Sequence, residues 1–128
     1  MRIEHISLWV RDLETVKIFY CTYFQAVSNQ KYANEHTGFS SYFLSFGKDK
    51  TRIELMNRAD ISETSGKNRV FGLAHFAFSV GSKEAVNALT ERLRADDYTI
   101  AGEPRTTGDG YYESVVLDPE GNLVEITV

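Results

Sequence analysis

Two glutamates stand alone inside short apolar runs, Glu54 in RIELM and Glu125 in LVEIT. Two histidines open similar runs, His5 in HISLWV and His75 in HFAFSV. Soluble strands rarely bury a lone charged group, so a repeated one needs a chemical reason. Two neutral imidazoles and two carboxylates would form a plausible site for Zn²⁺, Ni²⁺, Co²⁺, Fe²⁺ or Mn²⁺. Without a thiolate, such a set differs from a closed structural zinc site.

The four residues hold equivalent positions in an internal repeat. His75 follows His5 by 70 residues, and Glu125 follows Glu54 by 71 residues. A repeat of this length is one supersecondary unit used twice. The alternative is that both histidines are ordinary core residues and both glutamates are surface charges. Repetition at equivalent positions favours the metal site.

Hydrophobic periodicity predicts the same order of elements, β-α-β-β-β, in both halves of the chain. Each half has a strand, a helix capped by Asp12 or Ser82, a short strand and a hairpin. The chain is therefore predicted to be a single α+β domain. Module one spans 1–56, a polar linker spans 57–71, and module two spans 72–128.

Strand alternation predicts which side chains share a face with the histidines and glutamates. Four-residue turns at both hairpins would place Phe43 opposite Glu54 and Ser114 opposite Glu125. The residues beside Glu125 would then be Tyr112, Ser114 and Val116. This face is mixed and the opposite face is apolar, as expected for sheets curled around a cavity.

Several other residues are candidates for substrate contacts. Trp9 shares the predicted face of His5 and could cover the apolar body of a ligand, or simply pack. Arg105 in EPRTTGDGYYE could hold an anionic group, and Tyr112 could form a wall of the pocket. The alternative for this segment is an ordinary hairpin tip. His36 has no repeat equivalent and is predicted to be a solvated loop residue.

Composition narrows the partners and the compartment. The net charge of −4 argues against nucleic acid or an anionic membrane, because both require a basic surface. No apolar run is long enough to span a bilayer. The single cysteine, Cys21, cannot form an internal disulfide, which predicts a cytoplasmic protein.

The segments HISLWVRDLETVKIFYCTYF, RIELM, GLAHFAFSV and LDPEGNLVEI together resemble the vicinal oxygen chelate superfamily, which includes glyoxalase I, bleomycin-resistance proteins and extradiol dioxygenases. The resemblance implies paired βαβββ modules that form a U-shaped, open barrel around a metal ion. It also implies that the metal ligands are His5, Glu54, His75 and Glu125.

This ligand set is similar to that of glyoxalase I. The resemblance therefore implies a lactoylglutathione lyase-like enzyme that converts the hemithioacetal of a 2-oxoaldehyde to a 2-hydroxyacyl thioester. The enzyme would use Zn²⁺ or Ni²⁺ to hold an enediolate, with Glu125 as the base and Glu54 as its counterpart.

Trp9 departs from this pattern, because glyoxalase I tends to carry an arginine there that grips a glutathione carboxylate. The substrate could therefore be another thiol adduct. The alternatives are a metal-containing binding or resistance protein, an epimerase or a dioxygenase; Glu54 argues against the last. A homodimer is expected, with the site formed within one chain or between two.

Overall fold

The computed structural model describes residues 3–61, 73–108 and 110–128. The chain divides into two compact units, Met1–Asn68 and Arg69–Val128. Each unit has its own sheet and helix, and the chain has the predicted α+β class. The predicted linker spans 57–71, and its residues 62–71 lie outside the described residues.

The first unit consists of β1 (His5–Trp9), α1 (Leu13–Tyr23), β2 (Ala26–Ser28), β3 (Tyr32–Asn34), β4 (Phe39–Phe46) and β5 (Arg52–Asn57). Its sheet has the order β1-β5-β4-β2, and β3 also pairs with β4. The short strand that the sequence predicts between the helix and the hairpin is thus two strands, β2 and β3. Asn29 lies between them, and its side-chain oxygen accepts a hydrogen bond from the Phe43 amide at 2.7 Å.

The second unit consists of β6 (Phe76–Ser79), α2 (Lys83–Ala95), β7 (Ile100–Thr106), β8 (Tyr112–Leu117) and β9 (Leu123–Thr127). Its sheet has the order β6-β9-β8-β7. In both units the first and last strands are parallel neighbours. The predicted β-α-β-β-β order is confirmed for the second half. The first half follows the same order except that its predicted short strand is divided into β2 and β3.

Each helix begins at its predicted cap and buries the predicted face. The Asp12 carboxylate accepts hydrogen bonds from the amides of Glu14 and Thr15, and Ser82 accepts one from the amide of Ala85. These bonds satisfy amides that the first turn of a helix leaves unpaired. The helix residues buried most deeply are Val16, Phe19, Tyr20, Val86, Thr90 and Leu93. No described helix is long and apolar enough to cross a membrane.

The two hairpins differ in register by one residue. Phe43 lies opposite Glu54, as predicted. In the second hairpin Glu125 lies opposite Val115, so the predicted pairing with Ser114 is wrong. Ser114 instead faces α2, where its hydroxyl is 2.7 Å from the Thr90 hydroxyl.

The turn at 118–122 explains this shift. The Asp118 amide donates to the Asn122 carbonyl at 3.0 Å, so only three residues lie between the closing pair. Gly121 has a φ of +83°, the left-handed conformation that a three-residue hairpin loop requires. The predicted four-residue turn would have needed a different closing pair.

Asp118 is expected to stabilise the second hairpin strongly. Its carboxylate is 4% exposed and accepts hydrogen bonds from the amides of Glu120 and Asn122, both at 2.9 Å. Removing a charged acceptor from partly buried donors costs about 2 kcal/mol, so Asp118→Ala should lower the free energy of unfolding by that amount. Urea denaturation measures this loss. The control Asp49→Ala removes an exposed acid from the first turn and should change stability by less than about 0.5 kcal/mol.

Candidate metal centre

In the first unit, one face of the sheet carries His5 and Glu54. The strands β1 and β5 are parallel, and Ser7 lies opposite Glu54. His5 is therefore two residues before the residue that pairs with Glu54. His5 Nε2 is 3.8 Å from Glu54 Oε2, and the Ser7 hydroxyl donates to the same oxygen at 3.1 Å. The Glu54 side chain is only 15% exposed, so it is not an ordinary solvated charge.

The second unit repeats this arrangement. Ala77 pairs with Glu125, so His75 again lies two residues before the partner of the glutamate. His75 Nε2 is 3.3 Å from Glu125 Oε2, and the Glu125 side chain is 17% exposed. The sequence repeat is therefore a repeat of side-chain geometry, with one histidine nitrogen facing one carboxylate in each unit.

The donor chemistry of each pair is compatible with a divalent metal. Imidazole nitrogen and carboxylate oxygen are both ligands of zinc and nickel. Among the described residues, neither unit by itself brings three or more His, Cys, Asp or Glu side chains together as a metal cluster. Each unit can thus offer one imidazole nitrogen and one carboxylate oxygen.

One further carboxylate, that of Glu4, contacts His5 and was missed by the sequence prediction. Glu4 Oε2 lies 2.5 Å from His5 Nδ1, and Glu4 Oε1 lies 2.5 Å from Arg52 Nη2. The hydrogen bond with His5 lowers the pKa of the Glu4 carboxyl; desolvation opposes this shift and Arg52 adds to it. The sequence signal that could have predicted this contact is that Glu4 directly precedes His5.

Phe43 and Trp9 lie on the predicted face of the first sheet. The Phe43 ring contacts the His5 ring edge-on, with centroids 5.4 Å apart, and the Arg52 guanidinium lies 4.1 Å from its centroid. Trp9 is 44% exposed and contacts Phe39 edge-on at 6.2 Å. Aromatic side chains therefore extend along the face that carries His5 and Glu54.

Tyr112 does not lie on the face of Glu125, which corrects the prediction that it lines the site. Its hydroxyl donates to Asn87 on α2 at 2.8 Å, and the Lys83 ammonium lies 5.0 Å from its ring centroid. The one-residue shift in register causes this change, because it turns Tyr112 to the helix side of the sheet.

Arg105 lies on β7 rather than in a loop, and it pairs across the strands with Glu113. The Arg105 guanidinium is 3.7 Å from the Glu113 carboxylate, whose side chain is 12% exposed. Register places Glu113 on the face of Glu125, since Glu113 pairs with Thr127. The sequence prediction missed Glu113 because it assumed the opposite face. The Thr107 hydroxyl closes the hairpin tip through two hydrogen bonds with the Tyr111 backbone.

The sequence profile of the Glyoxalase/Bleomycin resistance protein/Dioxygenase superfamily matches residues 2–126. The chain therefore belongs to this superfamily, and its fold is the glyoxalase/bleomycin-resistance fold.

Relatives of known sequence or structure span the same length. The uncharacterized protein YqjT of Bacillus subtilis (strain 168) is 29% identical over 97% of this chain and 96% of its own. The trypanothione-dependent glyoxalase I of Leishmania major is similar in structure, with a TM-score of 0.77, 24% identity and coverage of 99% and 86% of the two chains. A glyoxalase family protein from Enterococcus faecalis has a TM-score of 0.80, 19% identity and coverage of 99% and 97%.

Proposed function

We propose that this protein is a metal-dependent lyase of the glyoxalase I type. Its substrate would be the hemithioacetal of a 2-oxoaldehyde and a thiol, and its product a 2-hydroxyacyl thioester. The observation that supports this proposal is the repeated histidine–glutamate pair, with nitrogen-to-oxygen distances of 3.8 and 3.3 Å. Both pairs have the same register offset, as a site built from two copies of one module requires.

The proposed ligands of one Zn²⁺ or Ni²⁺ ion are His5, Glu54, His75 and Glu125. The metal would act as a Lewis acid for the two adjacent substrate oxygens. Ser7 orients the Glu54 carboxylate by its hydrogen bond, and the equivalent Ala77 cannot do the same for Glu125. Glu125 is the proposed base, as the resemblance to glyoxalase I implies, and Glu54 is its counterpart at the metal.

The proposed reaction is an internal proton transfer. Glu125 removes the proton from the carbon that carries the thiol sulfur, and the electron pair shifts to give an enediolate. The same carboxylic acid then returns the proton to the neighbouring carbon, which was the ketone carbon. The hydroxyl proton passes from the oxygen beside the sulfur-bearing carbon to the former ketone oxygen. Hydroxyl and carbonyl thereby exchange places, and atoms and electrons balance without an oxidant or reductant.

Trp9, Phe43 and Arg105 are the proposed substrate contacts. Trp9 and Phe43 present aromatic surface on the face of Glu54, where they could cover the apolar part of a thiol adduct. This exposed aromatic surface also favours a second candidate function, sequestration of a small molecule at the metal without turnover. Arg105, 56% exposed, would hold an anionic group of the substrate.

A direct assay separates the two functions. Purified protein loaded with Ni²⁺ or Zn²⁺ is mixed with methylglyoxal and a panel of thiols, and thioester formation is followed by absorbance. Turnover with at least one thiol is expected for the lyase. Binding of a chelating enediolate analogue without thioester from any thiol would instead support sequestration.

A homodimer is part of the proposal, because pairing of modules between subunits is a common way to build such a site. Analytical ultracentrifugation should give a mass close to twice the monomer mass of 14.5 kDa. A monomer at micromolar concentration would contradict this expectation and require the site to be formed within one chain.

A further inference from the structure

His5 has carboxylates near both of its ring nitrogens, but the two contacts differ in kind. Nδ1 lies 2.5 Å from Glu4, which is a hydrogen-bond distance. Nε2 lies 3.8 Å from Glu54, which is too long for a hydrogen bond and leaves this nitrogen facing the carboxylate. Glu54 belongs to the proposed metal site, whereas Glu4 has no part in it.

Glu4 is itself held in place by the neighbouring strand. The Arg52 amide donates to the Glu4 carbonyl at 3.0 Å, and the Arg52 guanidinium contacts the Glu4 carboxylate at 2.5 Å. The guanidinium also stacks on Phe43, at 4.1 Å from the ring centroid. Backbone and side-chain contacts together thus fix the Glu4 carboxylate at the Nδ1 edge of the imidazole.

We propose that Glu4, supported by Arg52, is a positioning residue that keeps the proton of neutral His5 on Nδ1. Nε2 then presents its lone pair on the side of Glu54, where a metal ion would bind. The hydrogen bond made by one imidazole nitrogen determines which tautomer is present and how basic the other nitrogen is. The part of this inference that concerns metal affinity rests on the proposed function, whereas the tautomer does not.

The second unit has no equivalent of the Glu4 and Arg52 side chains beside its histidine. The repeat-equivalent positions of Glu4 and Arg52 are Ala74 and Leu123, which cannot accept or donate at an imidazole. Among the described residues, the ion pair of His75 is with Glu125 through Nε2, and no carboxylate lies within 4 Å of its Nδ1. The two histidines are therefore inequivalent, and His5 is the one whose tautomer is fixed before a metal ion arrives.

The tautomer can be measured in the metal-free protein. The chain has three histidines, so long-range proton–nitrogen correlation spectra can be assigned with the single variants His5→Ala, His36→Ala and His75→Ala. The spectra should be recorded at about pH 8.5, which is above the pKa of a free imidazole, about 6.5. Parent His5 should then show a protonated Nδ1 and an unprotonated Nε2.

Glu4→Ala should remove this preference, and the His5 nitrogens should move towards the averaged shifts of an imidazole that exchanges between tautomers. Glu4→Gln retains an acceptor oxygen and should preserve most of the preference. Glu103→Gln is a control, because it removes the negative charge from another exposed Arg–Glu contact, the one with Arg94 at 2.6 Å. Unchanged His5 shifts in Glu4→Ala would overturn the positioning role.

Calorimetric titration with Zn²⁺ tests the consequence for the metal. Loss of an outer partner of a histidine ligand costs about 10–100-fold in metal affinity, so Glu4→Ala should bind about tenfold more weakly than the parent and Glu103→Gln equally well. A changed tautomer with unchanged affinity would overturn the metal part of the inference. A parent that does not bind Zn²⁺ or Ni²⁺ would overturn the proposed function and leave the tautomer result standing.

Discussion

His5→Ala should reduce the affinity for Zn²⁺ or Ni²⁺ by more than about 100-fold, and Glu125→Ala should do the same. Each variant removes one of four proposed ligands, which costs more than the roughly 10–100-fold loss caused by an outer partner. An ion left with three ligands exchanges readily with a chelator. Metal content after dialysis, measured by atomic emission, and calorimetric titration of the metal-free variants test this prediction.

His36→Ala is the control, because this third histidine lies in the turn after β3, where its amide donates to the Asn34 side chain. Its metal content should equal that of the parent. Loss of metal in His36→Ala, together with normal metal in His5→Ala, would show that the ligand assignment is wrong. Circular dichroism of all variants separates loss of a ligand from loss of the fold.

The fold could be predicted in considerable detail because its signals are local. Asp12 and Ser82 precede helical patterns and accept hydrogen bonds from the first helical turns, as expected from sequence alone. Strand alternation correctly placed Leu8 and Leu55 in the core and Glu54 on the opposite face. These features depend on a few neighbouring residues and not on long-range register.

The sequence repeat did not predict the strand register of the second hairpin. Glu125 and Glu54 are equivalent in sequence, yet their hairpin partners differ, because Gly121 allows a three-residue loop that the first turn does not have. That single difference moved Tyr112 away from the face of Glu125 and brought Glu113 onto it. Equivalent positions in the repeat therefore predict where a strand lies along the chain better than they predict which residues pair with it across the hairpin.

The contact of Arg52 with Glu4, beside His5, was also beyond prediction. Glu4 precedes His5 directly, but only the parallel pairing of β1 with β5 brings Arg52 beside it. A parallel register between strands about fifty residues apart is not encoded by either strand alone. Sequence alone also does not decide which of Glu54 and Glu125 acts as the base, so variants of the two glutamates must be compared.

Glu125→Gln should lower kcat by about 10²–10⁴-fold and retain most of the metal. The amide oxygen can still act as a ligand, but glutamine cannot accept the substrate proton, which is the contribution of a general base. Glu54→Gln should lower kcat less, because the proposed role of Glu54 is to hold the metal. Both variants should be assayed with the best thiol of the panel at saturating metal, beside Glu103→Gln, which should match the parent.

Solvent deuterium provides a second measure that is independent of the rate. In Glu125→Gln, the residual product should carry no deuterium beyond that of the uncatalysed reaction, whereas Glu54→Gln should incorporate deuterium as the parent does. The Ser7 hydroxyl donates to the Glu54 carboxylate at 3.1 Å, which suits the proposed role of Glu54 as a ligand that holds the metal. A Glu54→Gln variant that loses turnover while Glu125→Gln retains it would assign the base to the other module.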